Sequence, residues 1–207
     1  NNMNINILFD GLSLGAIYAL IALGYTMVYG IAKMLNFAHG DIIMVGAYAI
    51  LCTLNMAGNP IISLIAAIVI CTVMGILIEK IAYKPLRGAS PLAVLITAIG
   101  VSYFLQGLAQ LIFGSASQQV SHLHLGTLKI GSFEVNKGTI VTLVVGGILM
   151  VALTLFVKKT RTGRAMLAVS EDRGAAQLMG VNVNRIIMIT FAIGSALAAF
   201  ASLFYLM

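Results

Sequence analysis

Charged residues are scarce in this chain. Only 9% of its 207 residues are Asp, Glu, Lys or Arg, where a soluble domain carries about 25%. With 60% hydrophobic residues and a mean hydropathy of +1.05, too little polar surface exists to cover a water-soluble globule. That excludes a soluble domain, a disordered chain and a secreted disulfide scaffold, and leaves an integral membrane protein. Cysteine is nearly absent as well. Cys52 and Cys71 sit inside apolar runs and read as buried small hydrophobes rather than a disulfide. Neither G-x-x-x-x-G-K-[ST] nor H-E-x-x-H occurs, so the chain carries no P-loop for ATP and no zinc-protease motif. Ionisable residues in the apolar runs are few, Asp10 near one end and Glu79 at another. A proton-coupled carrier keeps such groups in mid-membrane, so any energy source is expected on another chain. No basic segment precedes the first apolar run, which argues against a cleavable signal peptide.

What is present is a series of apolar runs. A membrane helix needs roughly 20 of them in a row, and the sequence offers candidates at Ile5–Tyr29, Ile42–Met56, Ile61–Ile78, Leu92–Phe113, Thr139–Val157 and Ile186–Met207. Asn59-Pro60 and Ser90-Pro91 read as an N-cap followed by the first helical position. The expected fold is all-α, a polytopic bundle of about six transmembrane helices forming one transmembrane domain over 1–207. No internal repeat or low-complexity tract interrupts it.

Basic residues orient the bundle. Lys158, Lys159, Arg161, Arg164, Arg173 and Arg185 crowd the loop 158–185; Lys80, Lys84 and Arg87 crowd the loop two spans earlier; Lys33 lies two spans before that. Only Lys129 and Lys137 fall opposite. The positive-inside rule makes the crowded side cytoplasmic and the N-terminus external. The polar connection 115–138, with Gln118, Gln119, His122, His124 and Glu134, is then external. Val120–Leu125 followed by Leu128–Val135 suggests a small hairpin there, the two histidines on a solvated strand face. The chain starts at Asn1 without an initiator Met and stops at Met207 inside an apolar run, which is expected of a piece truncated at its C-terminus.

Three stretches invite a functional reading. Gly11-Leu12-Ser13-Leu14-Gly15 matches G-x-S-x-G. A nucleophile elbow needs a strand turning into a helix, and no strand precedes it. Gly11 and Gly15 instead share a helix face and are expected to admit a neighbouring helix closely. The stretch from Gly30 to Asp41 is polar, bounded by glycine and wedged between two membrane segments, the second unusually short. Two readings stand. One is a discontinuous helix lining a pathway, since broken backbone at membrane depth is tolerated only where protein or water satisfies it. The other is a plain turn with Asn36 and Asp41 as caps. A metal site is not expected, because His39 and Asp41 are too few ligands.

In the third, the basic loop, Ser170 to Gly180 reads as one short helix. Ser170 caps it, Glu171 and Asp172 complement its dipole, Gly180 stops it, and Ala175, Leu178 and Met179 form an apolar face. So short a helix must pack on something to persist, either a cytoplasmic partner or, less in keeping with its acidic start, the lipid surface.

At these residues a resemblance emerges. The run from Gly11 to Gly30 leading into Asn36-Phe37-Ala38-His39-Gly40, the stretch from Ile78 to Arg87, Thr97 to Ser102, Thr162-Gly163-Arg164-Ala165 and Leu178 to Asn182 closely resemble the permease subunit of bacterial branched-chain amino acid ABC importers, the LivH type. The resemblance covers nearly the whole chain. It implies a subunit of the bacterial inner membrane that is not itself an enzyme and holds no cofactor, ATP and magnesium being bound on a partner ATPase. The implied partners are a second homologous permease, two cytoplasmic ATPases and a periplasmic binding protein delivering leucine, isoleucine or valine. It also implies that Asn36, Phe37, His39 and Gly40 lie by the translocation path. Arg164, Glu171, Asp172, Ala175, Ala176 and Gly180 would serve ATPase coupling. In the usual importer pattern an acid precedes the paired alanines; here Gly174 takes that place. Importers of urea and short amides share much of the pattern. The readings from other classes are a self-sufficient channel or carrier and an intramembrane hydrolase using Ser13.

Overall fold

The computed structural model describes residues 2–116, 118, 126–130 and 133–207. Six of its helices are long and apolar enough to cross a membrane. They are α1 (Asn2–Ala32), α2 (His39–Ala57), α3 (Pro60–Ile78), α4 (Pro91–Phe113), α5 (Lys137–Lys159) and α8 (Val183–Leu206). The expected all-α membrane bundle is therefore what forms. Two shorter helices, α6 (Arg161–Glu171) and α7 (Arg173–Leu178), fill the connection between α5 and α8.

Local chemistry sets the helix starts. Asn59 accepts a hydrogen bond from the amide of Ile61 at 2.9 Å, and Pro60 follows at the first helical position. Ser90 accepts from the amide of Ala93 at 3.3 Å, with Pro91 next. Each satisfies a donor that a helix start leaves orphaned. Asn182 caps α8 in the same way, through the amide of Arg185.

The one described sheet is a two-stranded antiparallel hairpin, β1 (Thr127–Ile130) with β2 (Phe133–Asn136). It differs from the expected hairpin. Residues 120–125, with His122 and His124, lie outside the described residues, and both strands come from the stretch around Leu128–Val135 that was read as a single arm.

α8 is the most buried spanning helix and packs on α1, α2 and α3, while α5 is the most exposed. Many interior positions are small, beside large ones such as Leu20, Ile50 and Phe191. Ala67, Cys71, Ala98, Ala198, Ala199 and Ala201 are buried with Ser63, Thr190, Ser195 and Ser202. Outward positions are large and apolar, such as Ile62, Ile65, Val69 and Val73 along α3. This is the arrangement lipid favours: helices gain nothing by hiding Leu or Ile from hydrocarbon, and gain dispersion contacts where small residues let backbones approach. A Cβ at Gly75 would overlap Ser195 on α8, and one at Gly46 would overlap Ser202. Ser202 Oγ donates to Ile43 O across that interface at 2.7 Å. Both cysteines are free. Cys71 is buried as expected, but Cys52 is exposed on the outer surface of α2, which lipid would cover.

The ends of α1, α5 and α8 meet the loop helices at one end of the bundle, where most basic residues gather. Glu79, almost fully buried, pairs there with Arg87, which also donates to Asn184 Oδ1. Arg173 of α7 donates to the carbonyl oxygen of Ala32.

Candidate translocation site

The break between α1 and α2 runs through residues 33–38. Lys33 adopts φ 50°, the one positive φ at a non-glycine among the described residues, and turns the chain sharply after Ala32. The chain then doubles back into the bundle. A Cβ at Gly24 would lie 2.9 Å from Cε1 and Nε2 of His39 and 3.1 Å from Gly194 O on α8. Gly24 stands about 12 Å up α1 from Ala32 by the helical rise, so α2 begins well inside the span rather than at its edge. The edge contact between the rings of Tyr25 and His39, 6.3 Å between centroids, fixes the same level.

Neither capping expectation for this stretch is met. The N-cap of α2 is Ala38, which has no side chain able to cap. Asn36 is 2% exposed, and its Oδ1 lies 3.1 Å from the hydroxyl oxygen of Tyr83, which is also 3.2 Å from Leu35 O. Tyr83 reaches it because α3 continues as a π-helical turn over Glu79–Tyr83. Such turns rotate side chains out of the normal helical register and recur at functional sites. Asp41 accepts at Oδ1 from Gln106 Nε2 on α4 at 2.9 Å.

Phe37 and Gly40 are exposed and, with Asn36, His39, Tyr18 and Tyr25, border a cavity of about 360 Å³ beside the middle of α1. A second cavity of about 680 Å³ lies toward the opposite end of the bundle from the basic cluster; Gly40, Met44, Tyr48, Gln106, Gln110 and Ser202 are among its lining residues. Ile21 and Gly40 border both. The structure thus brings all four residues of the Asn36–Gly40 group to one cavity. Sequence reasoning missed Tyr83 and Gln106; the second was detectable as an uncharged polar residue inside an apolar run.

The basic loop differs in detail from its expected form. It holds two helices, not one helix from Ser170. Thr160 caps α6 by accepting from the amide of Gly163 at 2.9 Å. Ser170 lies inside α6 and donates to Leu167 O at 2.6 Å, so it caps nothing. Asp172 caps α7, accepting from the amides of Gly174 and Ala175 at 2.7 and 3.0 Å. Glu171 ends α6 and does not start α7.

Of the residues assigned to coupling, Ala176 is buried against Ile31, Met166 and Ile186. Arg164, Glu171, Asp172, Ala175 and Gly180 are exposed, and Gly180 takes φ 83° to end the segment. Leu178 and Met179 stand 90% and 84% exposed beside Ala175. Arg173 is partly buried. Removal from water lowers its pKa, and repulsion from Arg87 adds to the shift.

Gly11 and Gly15 are exposed on α1, and no other described element comes within 4 Å of a Cβ built at either. Close approaches among the described residues are made by Gly24, Gly46, Gly75, Gly163 and Gly194 instead. Ser13 lies mid-helix, without the strand-to-helix elbow that a nucleophilic serine needs.

The family profile described as the permease component of branched-chain amino acid transport systems matches residues 7–207. The high-affinity branched-chain amino acid transport permease LivH of Salmonella typhimurium is 42% identical over 208 residues, covering 94% of this chain and 68% of the relative. BraD of Pseudomonas aeruginosa, of the same description, is 41% identical over 210 residues with the same coverage. A probable LivH of Methanocaldococcus jannaschii is 30% identical over 192 residues, 88% of this chain and 60% of the relative. No solved structure matches the chain. This helical membrane bundle with a re-entrant break between its first two helices, matched along almost its whole length, belongs to the family of permease components of branched-chain amino acid transport systems.

Proposed function

We propose that this chain forms the membrane path for leucine, isoleucine and valine in an ABC importer of the bacterial inner membrane. The observation that carries the reading is the re-entrant break at residues 33–38, which sets the head of α2 beside mid-α1 and opens Asn36, Phe37, His39 and Gly40 onto a cavity. Irregular backbone inside a span is tolerated where it lines a protein cavity, and a zwitterion crosses hydrocarbon only along such a lined route.

The basic end of the bundle faces the cytoplasm and the N-terminus lies outside, by the positive-inside rule. ATP with magnesium binds two separate ATPase chains. They dock on α7, where exposed Ala175, Leu178 and Met179 offer a small apolar contact flanked by Glu171 and Asp172. A second homologous permease completes the path, and a periplasmic binding protein delivers the amino acid. ATP binding biases two states of the path from one side and substrate delivery biases them from the other.

The test is uptake of radiolabelled leucine into proteoliposomes holding the permease pair and ATPases, with binding protein outside and ATP inside. ATP-dependent accumulation is expected. Accumulation that persists without the ATPases would overturn this reading in favour of a self-sufficient carrier.

A further inference from the structure

Asp41 is a carboxylate inside a membrane span, 7% exposed. One of its oxygens accepts from Gln106 Nε2 at 2.9 Å, and the other, Oδ2, is buried with no partner. Gln106 Nε2 is steadied in turn by Ser102 Oγ at 3.1 Å. A single neutral donor leaves the other oxygen of this carboxyl group without a hydrogen bond at this depth, which is costly. No basic side chain among the described residues pairs with it; the one described ion pair, Glu79–Arg87, is at the basic end of the bundle. His39 does not serve either. It stands about 200° round the helix from Asp41 and faces Gly24 and Gly194. Among the described residues, then, no cation completes Asp41.

The surroundings say which cation. Gly40, the residue before Asp41, lines the larger cavity together with Gln106, its hydrogen-bond partner. Beyond them Met44, about one helical turn from Asp41, and Ala47, nearly two turns on, give the same wall an apolar surface. A carboxylate beside an aliphatic wall suits a ligand with an ammonium group next to a branched hydrocarbon side chain.

We propose that Asp41, positioned by Gln106, receives the α-ammonium group of the transported amino acid while Met44 and Ala47 take its side chain. This rests on the transport reading above. Oδ2 is shut from the cavity in this conformation. A transport site is open in one state and closed in another, and the break just before α2 lets its first turn shift.

The test uses the assembled transporter in nanodiscs, without binding protein, and measures saturable binding of radiolabelled leucine. Two competitors separate the charges: 3-methylbutylamine keeps the ammonium, and 4-methylpentanoate keeps the carboxylate. The amine is expected to displace leucine and the acid to leave it bound. Asp41→Asn should weaken leucine binding by roughly tenfold or more, the scale of one lost charge-assisted bond, and Asp41→Glu should weaken it less. Wild-type binding by Asp41→Asn, displacement by the acid as effective as by the amine, or no saturable binding by wild type would each overturn the assignment. Should Asp41→Asn fail to assemble, the two competitors on wild type still decide. ATP-driven leucine uptake by the same wild-type complex, with binding protein restored, separates the two levels: intact uptake beside any overturning result removes only the Asp41 site, whereas absent uptake removes the transport reading itself.

Discussion

The guanidinium of Arg173, in the first turn of α7, donates to the carbonyl oxygen of Ala32, the last residue of α1. The final carbonyls of a helix have no partner of their own, and a cation there also meets the negative end of the dipole. The bond ties α7 to the point where the chain turns back into the bundle. Whatever moves α7 pulls on the residues that lead to Asn36 and His39.

Arg173→Ala should therefore uncouple the two ends. A hydrogen bond to a charged group contributes about 1.5–3 kcal/mol, so a drop in transport of roughly tenfold or more is expected. ATP hydrolysis by the assembled complex should persist, because the exposed contact residues of α7 are unchanged. Parallel loss of both activities would show that Arg173 merely holds the fold.

The Glu79–Arg87 pair is buried, so removing one partner should hurt more than removing both. Glu79→Ala leaves a partly buried guanidinium without its counter-charge, expected to lower stability by about 3 kcal/mol. The double variant Glu79→Ala/Arg87→Ala should recover part of that loss. Thermal unfolding in detergent across the double-mutant cycle reads the coupling, and strictly additive losses would show that the pair does not interact.

The seam between α3 and α8 makes a steric prediction. Gly75→Ala would place a methyl group on Ser195, and overpacking of a closed interface costs about 1–3 kcal/mol. Ser195→Gly removes the obstructing side chain, so the pair Gly75→Ala/Ser195→Gly should regain stability in the same thermal assay. No recovery would mean that the nearby backbone, Phe191 O at 3.2 Å from the new methyl, sets the limit.

Tyr83→Phe deletes the hydroxyl that meets Leu35 O and Asn36 Oδ1. One neutral hydrogen bond contributes about 1 kcal/mol, so membrane insertion should be normal while leucine uptake falls severalfold. Asn36→Leu, which leaves the tyrosine hydroxyl in place but takes away its side-chain acceptor, should cut uptake further without loss of assembly. Unchanged uptake in both variants would return residues 33–38 to the status of a plain turn.

Much of this was readable in advance, and what was readable shares a physical cause. The six spans and the caps at Asn59 and Ser90 follow from apolar length and from a polar acceptor placed just before proline, both local properties. The capping of α7 was misassigned because it depends on where the preceding helix stops. α6 starts at Thr160 and runs unbroken through Ser170, so the Ser170 hydroxyl bonds backward to Leu167 O, and Asp172, the first residue free of α6, becomes the cap. The partners of Asn36 and Asp41 were hidden for another reason. Tyr83 and Gln106 are brought to them by tertiary packing, and Tyr83 depends on a π-turn that no apolar periodicity announces. The glycines that matter for packing were hidden likewise, since Gly11 and Gly15 have helical spacing but it is Gly24, Gly46, Gly75, Gly163 and Gly194 that other parts of the chain approach closely.

The buried and exposed alanines of α7 separate docking from folding. Ala176 is 4% exposed and sits against Ile31, Met166 and Ile186, so Ala176→Glu would force a carboxylate into an apolar cluster and should lower stability, read as a shifted unfolding temperature. Ala175, Leu178 and Met179 face outward from the same helix. Ala175→Glu and Leu178→Glu should leave the unfolding temperature within a degree or two, because surface substitutions shift stability by only about 0.5 kcal/mol. Both should nevertheless abolish co-purification of the ATPase, since an added carboxylate beside Glu171 and Asp172 strips the small apolar contact of its character. An ATPase that stays bound to Leu178→Glu would place the contact elsewhere on the basic end, and the link from Arg173 to Ala32 would then have no motion to transmit.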